Sequence, residues 1–479
     1  MGLQPHSMKP GEKELRDEYQ RHFDEIGNLR GMRDDVAFTV TDPSTEETLE
    51  QLAPTSVEAI DAMVTELRDA QIPWAARPIG VRRGVLQEIL ADLRARVEMF
   101  ARLLVAETGK TLREATSEVR SAIDDSVSLT EIPLHDLSGR GATLRYRPLG
   151  VVAVIAPWNA PFLLALKPMI QALYTGNTVL VKPSPCAPLT VHALCMHLAR
   201  RLTGVRVALG SAATGAYIVR HRGIAMVAFT GSIAIGRQIM AAAAVDMKRL
   251  TLELGGNDPA IVMPDANLET AVPAIFRSAT MNAGQTCKRV NRVYAARERY
   301  LEVVEALREL ARDTRVGPGL QAESDMGPVQ NMAAYLRLRK LMSSVCASGA
   351  TVFARGPEVP DKGYFLRPTI VSDIAADHAL VVEETFGPFL AVVPYDNVNE
   401  AIAMANGTPY GLGASLWTGD VARARELAPH LQAGTVWINQ HGVTSPYLPF
   451  GGAKQSGYGR NYGEIGLRGY MEPQVINER

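Results

Sequence analysis

The sequence predicts an α/β protein in which a doubly wound parallel sheet is followed by a second αβ series. Three observations carry this prediction. From Val151 onward, short continuous apolar runs alternate with stretches of helical spacing. The alternation resumes after the glycine pair Gly255-Gly256. The chain has 479 residues, too many for one hydrophobic core, so two or three domains are expected.

Residues 1–30 read as an arm or a leading helix. Over 81–125, Leu86, Ile89, Leu90, Leu93, Val97, Phe100, Leu103 and Leu104 recur at helical spacing among Arg and Glu, which predicts one or two amphipathic helices. Val151-Val152-Ala153-Val154-Ile155 is the first buried strand, and a helix follows over 163–173. Thr178-Val179-Leu180-Val181 is the next strand, then a helix over 191–202. Strands at 205–209 and 226–229 come next, with a short helix over 217–221 between them. Such a series places a binding crevice at the strand carboxyl ends. The second series has a strand at 260–262, a helix over 268–281, a strand at 290–293 and a helix over 300–312. Further strands are expected at 391–393, 412–417 and 435–438. The tail from Pro449-Phe450-Gly451-Gly452 to Gly459 is rich in glycine and reads as a shaped loop. Residues 470–479 read as an edge strand available to another subunit.

Apolar residues make up 47% of the chain and charged residues 21%, with a formal net charge of −1. This balance gives no case for nucleic acid or membrane as a partner, since both favour a clustered basic surface. Cys186, Cys195, Cys287 and Cys346 form no Cys-x-x-Cys pair and no cluster with histidine. Neither a metal site nor a disulfide framework is expected. Free thiols fit a reducing compartment. Residues 1–35 are polar and charged, unlike a signal peptide. The longest apolar run, 149–158, is too short to span a bilayer. A cytoplasmic protein is the expectation.

Cys287 ends the run Gly284-Gln285-Thr286-Cys287, and Glu253 stands upstream in Leu252-Glu253-Leu254-Gly255-Gly256. A thiol beside small residues, with a carboxylate in a glycine-rich turn before it, suggests a nucleophile with its own base. Taken alone, such a cysteine is more often a buried small apolar residue. Six further motifs change that balance: Glu107-Thr108-Gly109-Lys110, Pro157-Trp158-Asn159, Lys182-Pro183-Ser184, Phe229-Thr230-Gly231-Ser232, Glu383-Glu384-Thr385-Phe386-Gly387-Pro388 and Pro449-Phe450-Gly451-Gly452. In this order, over roughly 42–476, the chain resembles the aldehyde dehydrogenase superfamily, NAD(P)-dependent enzymes that oxidise aldehydes to acids.

The resemblance implies that Cys287 attacks the aldehyde carbon, and that the Asn159 amide with the Cys287 N–H holds the oxyanion. It implies that Glu253 activates the water that hydrolyses the thioester. A base of that kind needs a pKa near neutrality, which burial supplies. Relatives that pass the acyl group to coenzyme A generally lack this glutamate, so Glu253 favours hydrolysis. The rival readings are a CoA-acylating enzyme and a non-catalytic nucleotide-binding paralogue. For the cofactor, the resemblance implies Lys182 on the adenosine ribose, Gly231 and Ser232 at the pyrophosphate, and Glu384 with Phe386 at the nicotinamide ribose. Ile155, Pro157, Trp158, Ser184, Pro185, Gly215, Phe229, Thr230, Leu254 and Gly255 complete that set. Phe162, Leu163, Lys167, Thr286, Lys288 and Thr444 are the expected substrate pocket.

The same resemblance divides the chain into a cofactor domain (31–126 and 147–252), a catalytic α/β domain (253–440) and bridging or oligomerisation segments (127–146 and 441–479) of a homodimer or homotetramer. Three departures from the family pattern stand out. Pro185 replaces a glutamate that takes both ribose hydroxyls in many NAD-preferring members, which leaves NAD or NADP open with NAD slightly favoured. The stretch 202–213 is a few residues short. Pro168 stands where a lysine is usual, with Lys167 one position earlier, and a proline there predicts a kink or an early turn. If Lys167 and Lys288 border the substrate tunnel, they favour an aldehyde bearing a carboxylate. The alternative is that both point to solvent.

Overall fold

The computed structural model of the protein describes residues 37–139 and 141–477. The arm or helix expected over 1–30 lies outside the described residues. The described chain opens on an antiparallel pair, β1 (Phe38–Thr41) and β2 (Thr48–Leu52). A long helix follows, α1 (Val57–Ala75), capped by the Ser56 side chain.

Where one or two helices were expected over 81–125, three stand: α2 (Ile79–Arg94), α3 (Val97–Thr108) and α4 (Leu112–Glu131). The break between α2 and α3 falls at Ala95-Arg96, with neither glycine nor proline to mark it. The break before α4 is chemically signed. Gly109 closes α3 in the left-handed conformation (φ 74°), and Thr111 with Glu114 forms a capping box at the start of α4. Two short strands, β3 (Leu137–Gly139) and β4 (Ala142–Pro148), then pair with each other.

The first large sheet contains β5 (Val151–Ile155), β6 (Thr178–Lys182), β7 (Val205–Val207), β8 (Met226–Thr230) and β9 (Arg249–Glu253). They lie parallel in the order β9-β8-β5-β6-β7. The connecting helices are α5 (Pro161–Tyr174), α6 (Leu189–Ala199), α7 (Ala212–Arg220) and α8 (Ile233–Ala244). Both faces are covered, which explains the unbroken apolar runs. Val152, Val154, Val179 and Val181 pack into the core shared with α2–α6, whereas Val151, Ala153 and Leu180 face Ile60, Val64 and Leu67 of α1. The winding reverses between β5 and β8, so the crevice opens at the ends of those two strands.

Helix α5 runs through Pro168 to Tyr174, so the early turn expected there is absent. Burial of the whole stretch from Ala165 to Tyr174 offsets the hydrogen bond that proline cannot make.

The second large sheet holds β10 (Asp258–Val262), β11 (Val290–Ala296), β12 (Thr351–Phe353), β13 (Thr369–Ser372), β14 (Phe389–Tyr395), β15 (Gly413–Trp417) and β16 (Thr435–Ile438). Their order is β12-β13-β14-β11-β10-β15-β16, parallel throughout except for β12 against β13. The tail returns to the first sheet: β17 (Gly457–Tyr458) lies antiparallel on β9. The last strand, β18 (Met471–Asn477), pairs along the whole of β4 and forms one edge of the three-stranded sheet β18-β4-β3.

Two buried carboxylates tie this frame to the crevice. Glu107, near the end of α3, accepts from the Leu189 and Thr190 N–H groups at the start of α6 (2.8 and 2.9 Å). Glu118 of α4 accepts from the Phe162 and Leu163 N–H groups at the start of α5 (3.1 and 3.2 Å). Its other oxygen holds the Lys110 ammonium, which also donates to the Asn159 carbonyl (2.8 Å). The Lys110 and Glu118 side chains are 3% and 7% exposed. Glu118→Ala is therefore expected to destabilise the fold by about 3–5 kcal/mol, since it strands a buried cation and two helix N–H groups; chemical denaturation of both proteins measures this.

Candidate active site

The site lies where the chain passes from the carboxyl end of the first sheet to the amino end of the second. Glu253 is the last residue of β9 and Asp258 the first of β10. Cys287 stands just before β11, and Glu384 just before β14. The crossing has no room for side chains. A Cβ on Gly255 would lie 2.4 Å from Glu384 Oε2, and one on Gly256 would lie 2.2 Å from the Cys287 carbonyl. This is the physical content of the Leu-Glu-Leu-Gly-Gly motif.

The turn before Cys287 is held by three left-handed residues in succession: Asn282 (φ 54°), Ala283 (φ 53°) and Gly284 (φ 71°). Gly284 is forced, because a Cβ there would meet the Gly387 carbonyl at 2.2 Å. Gln285 is fully buried. Its side chain donates to the Asn282 carbonyl (2.9 Å) and accepts from the Gln330 N–H (2.9 Å). Its own carbonyl accepts from Asn159 Nδ2 (2.9 Å). Asn159, at the end of the Pro-Trp-Asn turn, is further fixed through its carbonyl by Lys110 and by Asn282 Nδ2 (2.9 Å). An asparagine amide with one N–H on Gln285 has a second to offer beside Cys287. Among the described residues the Cys287 N–H has no acceptor.

Cys287 is half-buried. Burial pushes its thiol up to about 12, with Lys288 pulling down and Glu384, Glu253 and Asp258 adding to the rise. Glu253 is buried, and desolvation lifts its carboxyl to about 8 against the opposing pull of Arg460 and Asn461. Its Oε1 accepts from Asn461 Nδ2 (3.1 Å), while Oε2 is buried without a protein partner. Asn461 is itself oriented by Gln171, whose Nε2 donates to its Oδ1 (3.4 Å). Ser456, just before β17, supports the same segment: the Leu254 N–H donates to its carbonyl (2.9 Å), and its Oγ donates to the Gly255 carbonyl (2.7 Å). Sequence reasoning missed Asn461, Gln171 and Glu118. The glycine-rich tail was the one signal pointing to Asn461.

The expected cofactor residues converge on the crevice. Ile155, Pro157 and Trp158 end β5; Lys182, Ser184 and Pro185 follow from β6; Phe229, Thr230, Gly231 and Ser232 lead from β8 into α8. Ser232 caps α8, accepting from the Ile235 N–H (3.4 Å). Gly231 leaves space that the Phe229 ring fills, at 2.4 Å from where a Cβ would be. Gly215 of α7 faces the Lys182 methylenes, with space for a Cβ only in van der Waals contact (3.5 Å). From the other sheet come Leu254, Gly255, Glu384 and Phe386. The Phe386 ring stands edge-on to Trp158 at 5.4 Å. Glu384 accepts from the Gly256 N–H (3.2 Å), and burial lifts its carboxyl to about 7. Helix-start N–H groups, a lysine at a strand end and a second carboxylate acceptor fit a dinucleotide with two riboses and a pyrophosphate.

The expected substrate residues separate. Thr286, Lys288 and Thr444 are half-buried near Cys287 or in the loop after Gly442, and Leu163 is half-buried at the start of α5. Phe162 is a correction: its side chain is fully buried, and its ring packs on Phe100 at 5.0 Å inside the core, so it lines no pocket. As the first turn of α5, it alternates away from Leu163 into the layer beneath. The alternative, that Lys167 and Lys288 point to solvent, does not hold. Lys167 Nζ pairs with Asp125 and lies 4.5 Å from the Tyr462 ring centroid, and Lys288 Nζ donates to the Gly442 carbonyl.

A glycine-crossed junction of two α/β sheets thus brings a thiol and a carboxyl of raised pKa to the strand-end crevice, an arrangement that fits a cofactor-dependent enzyme. Residues 32–476 match the model of the aldehyde dehydrogenase family, and the chain belongs to that family. It is 34% identical over 459 residues to a putative aldehyde dehydrogenase of Bacillus subtilis (strain 168), covering 92% of each chain. It is 34% identical over 464 residues to lactaldehyde dehydrogenase of Escherichia coli (strain K12), covering 94% of this chain and 97% of that one. The crystal structure of the E. coli enzyme superposes with a TM-score of 0.88 over 93% of this chain and 96% of that one, at 34% identity. The NAD+ complex of an aldehyde dehydrogenase from Bacillus cereus gives a TM-score of 0.88 at 33% identity, over 92% and 93%. The protein oxidises aldehydes to carboxylic acids with reduction of NAD(P)+.

Because Asn461 favours the ionised form of Glu253, Asn461→Ala is expected to move the Glu253 titration above its value of about 8. Difference infrared spectroscopy of the carboxyl band against pH reads this shift directly.

Proposed function

We propose that Cys287, Asn159 and Glu253 carry the oxidation and that the acyl group is released by water. The observation that carries this reading is the Asn159 amide hydrogen-bonded to the Gln285 carbonyl, two residues from the thiol. A carbonyl oxygen beside Cys287 then meets two donors, the free N–H of that amide and the Cys287 N–H. The thiol, raised by burial, is protonated at neutral pH and needs a proton acceptor as its sulfur bonds to the carbonyl carbon. The ionised form of Glu253 is that acceptor. The nicotinamide cofactor, when bound, supplies the two-electron acceptor that takes the hydride and leaves the acyl group on sulfur as a thioester. Glu253, having passed its proton outward, takes another from a water at its unpartnered Oε2. The hydroxide adds to the thioester, the two donors hold the new oxyanion, and its collapse expels the Cys287 sulfur and frees the acid.

In this reading Lys182, Ser184, Gly215, Gly231 and Ser232 hold the adenosine and pyrophosphate side of the dinucleotide, and Glu384 with Phe386 holds the nicotinamide ribose. The cofactor is NAD or NADP, with NAD slightly favoured; one similar structure is an NAD+ complex and another is an NADP dependent enzyme of E. coli. Segments 31–126 and 147–252 act as the cofactor domain and 253–440 as the catalytic domain. The paired β4 and β18 at 127–146 and 441–479 serve a homodimer or homotetramer. A cytoplasmic setting accords with four free cysteines. Among the described residues, no helix is long and apolar enough to cross a membrane.

Glu253→Gln is the decisive experiment. Because Glu253 takes the thiol proton and later activates water, cofactor reduction in a single turnover and the steady rate are both expected to fall, the latter about 10²–10⁴-fold below wild type. Unchanged steady turnover would remove Glu253 from hydrolysis. In wild type, the hydrolytic step should accelerate as pH rises through about 8, because the ionised carboxylate is the base. Asn159→Ala is expected to lower kcat about 10²–10³-fold, measured by single-turnover kinetics.

A further inference from the structure

The two lysines near Cys287 differ in what they hold. Lys167 has its own carboxylate, Asp125, and a ring beneath it. Lys288 has neither partner in the same measure. Its Nζ donates to one neutral acceptor, the Gly442 carbonyl, and stands 5.8 Å from the Phe450 ring centroid. Among the described residues no carboxylate pairs with it. An ammonium has three donors, and one removed from water without a counter-ion is costly. The backbone around it is pinned: His441 Nε2 meets the Lys288 carbonyl at 3.1 Å, and His441 Nδ1 meets Ser415 Oγ at 2.9 Å. The ammonium is thus fixed against the loop at 442–450, in which Val443, Tyr447 and Leu448 are open to solvent. The backbone on its other side is that of the nucleophile.

Resting on the proposed role of Cys287, we propose that Lys288 is an anion subsite, and that the enzyme acts on aldehydes carrying a carboxylate a few bonds from the carbonyl carbon. Lys167 takes no direct part, since Asp125 already neutralises it. Burial, with Lys167 next, lowers the Lys288 ammonium to about 8 against the raising pull of Cys287, Asp125 and Asp258; it stays mostly charged at neutral pH, and an arriving carboxylate supplies the paired counter-ion it lacks. A cationic aldehyde meets the opposite condition and is disfavoured.

The test compares succinic semialdehyde with its methyl ester, and glutaric semialdehyde with its methyl ester, by formation of reduced cofactor. Wild type is expected to favour the acid about tenfold or more in kcat/KM, mainly through KM. Lys288→Met should bring that ratio towards one, and Lys288→Arg should keep most of it. Equal ratios in wild type would overturn the subsite while leaving aldehyde oxidation intact. Loss of both substrates alike in Lys288→Met would overturn it as well, assigning the lysine to support of the thiol. If no aldehyde of either kind were oxidised, the role of Cys287 and the subsite would fall together. Should Lys288→Met not fold, wild type decides: butyrate should inhibit oxidation of a neutral aldehyde about tenfold better than butyramide, and equal inhibition refutes the proposal.

Discussion

The approach of Gly256 to the Cys287 carbonyl is the constraint on which the site depends. With 2.2 Å between that oxygen and the place a Cβ would take, the crossing segment and the Cys287 turn are in direct backbone contact. The same crossing joins β9, which carries Glu253, to β10, whose sheet carries Cys287 and Glu384. Two glycines thus convert a link between sheets into a shared wall. Around it, the buried Lys110–Glu118 pair fixes Asn159 from one side, and Gln285 fixes it from the other.

The electrostatic character of this wall is uniform. Burial moves Cys287 up to about 12, Glu253 up to about 8, Glu384 up to about 7 and Lys288 down to about 8. Each shift favours the neutral form. Groups shifted this way resist charge until a ligand or a reaction places it there, and fixed donors are then most effective.

Much of this was legible in the sequence, for identifiable reasons. The strands β5, β6, β8 and β10 are buried on both faces, so their runs are continuous and unmistakable. The three helices over 81–125 were harder to separate, because Ala95-Arg96 interrupts α2 and α3 without a breaker residue. Strand β9 (Arg-Leu-Thr-Leu-Glu) alternates polar and apolar residues, a weaker signal than the continuous runs, and its last residue is the acid singled out. At the site, glycines and the thiol carried strong local signals. Asn461, Gln171 and Glu118 did not, because their significance lies in contacts across hundreds of positions or between helices, such as Asn461 with Glu253. Phe162 is not legible as a core residue because the sequence alone does not say which way the first turn of this helix faces.

The returning tail has a consequence for biogenesis. Asn461, Ser456 and β17 brace the Glu253 segment from the far end of the polypeptide. During translation, the sheet containing Glu253 emerges well before those braces leave the ribosomal tunnel. Until Ser456 and Asn461 have been added and have folded back, the Glu253 segment lacks both contacts, so its carboxyl is seated only when two distant parts of the chain meet.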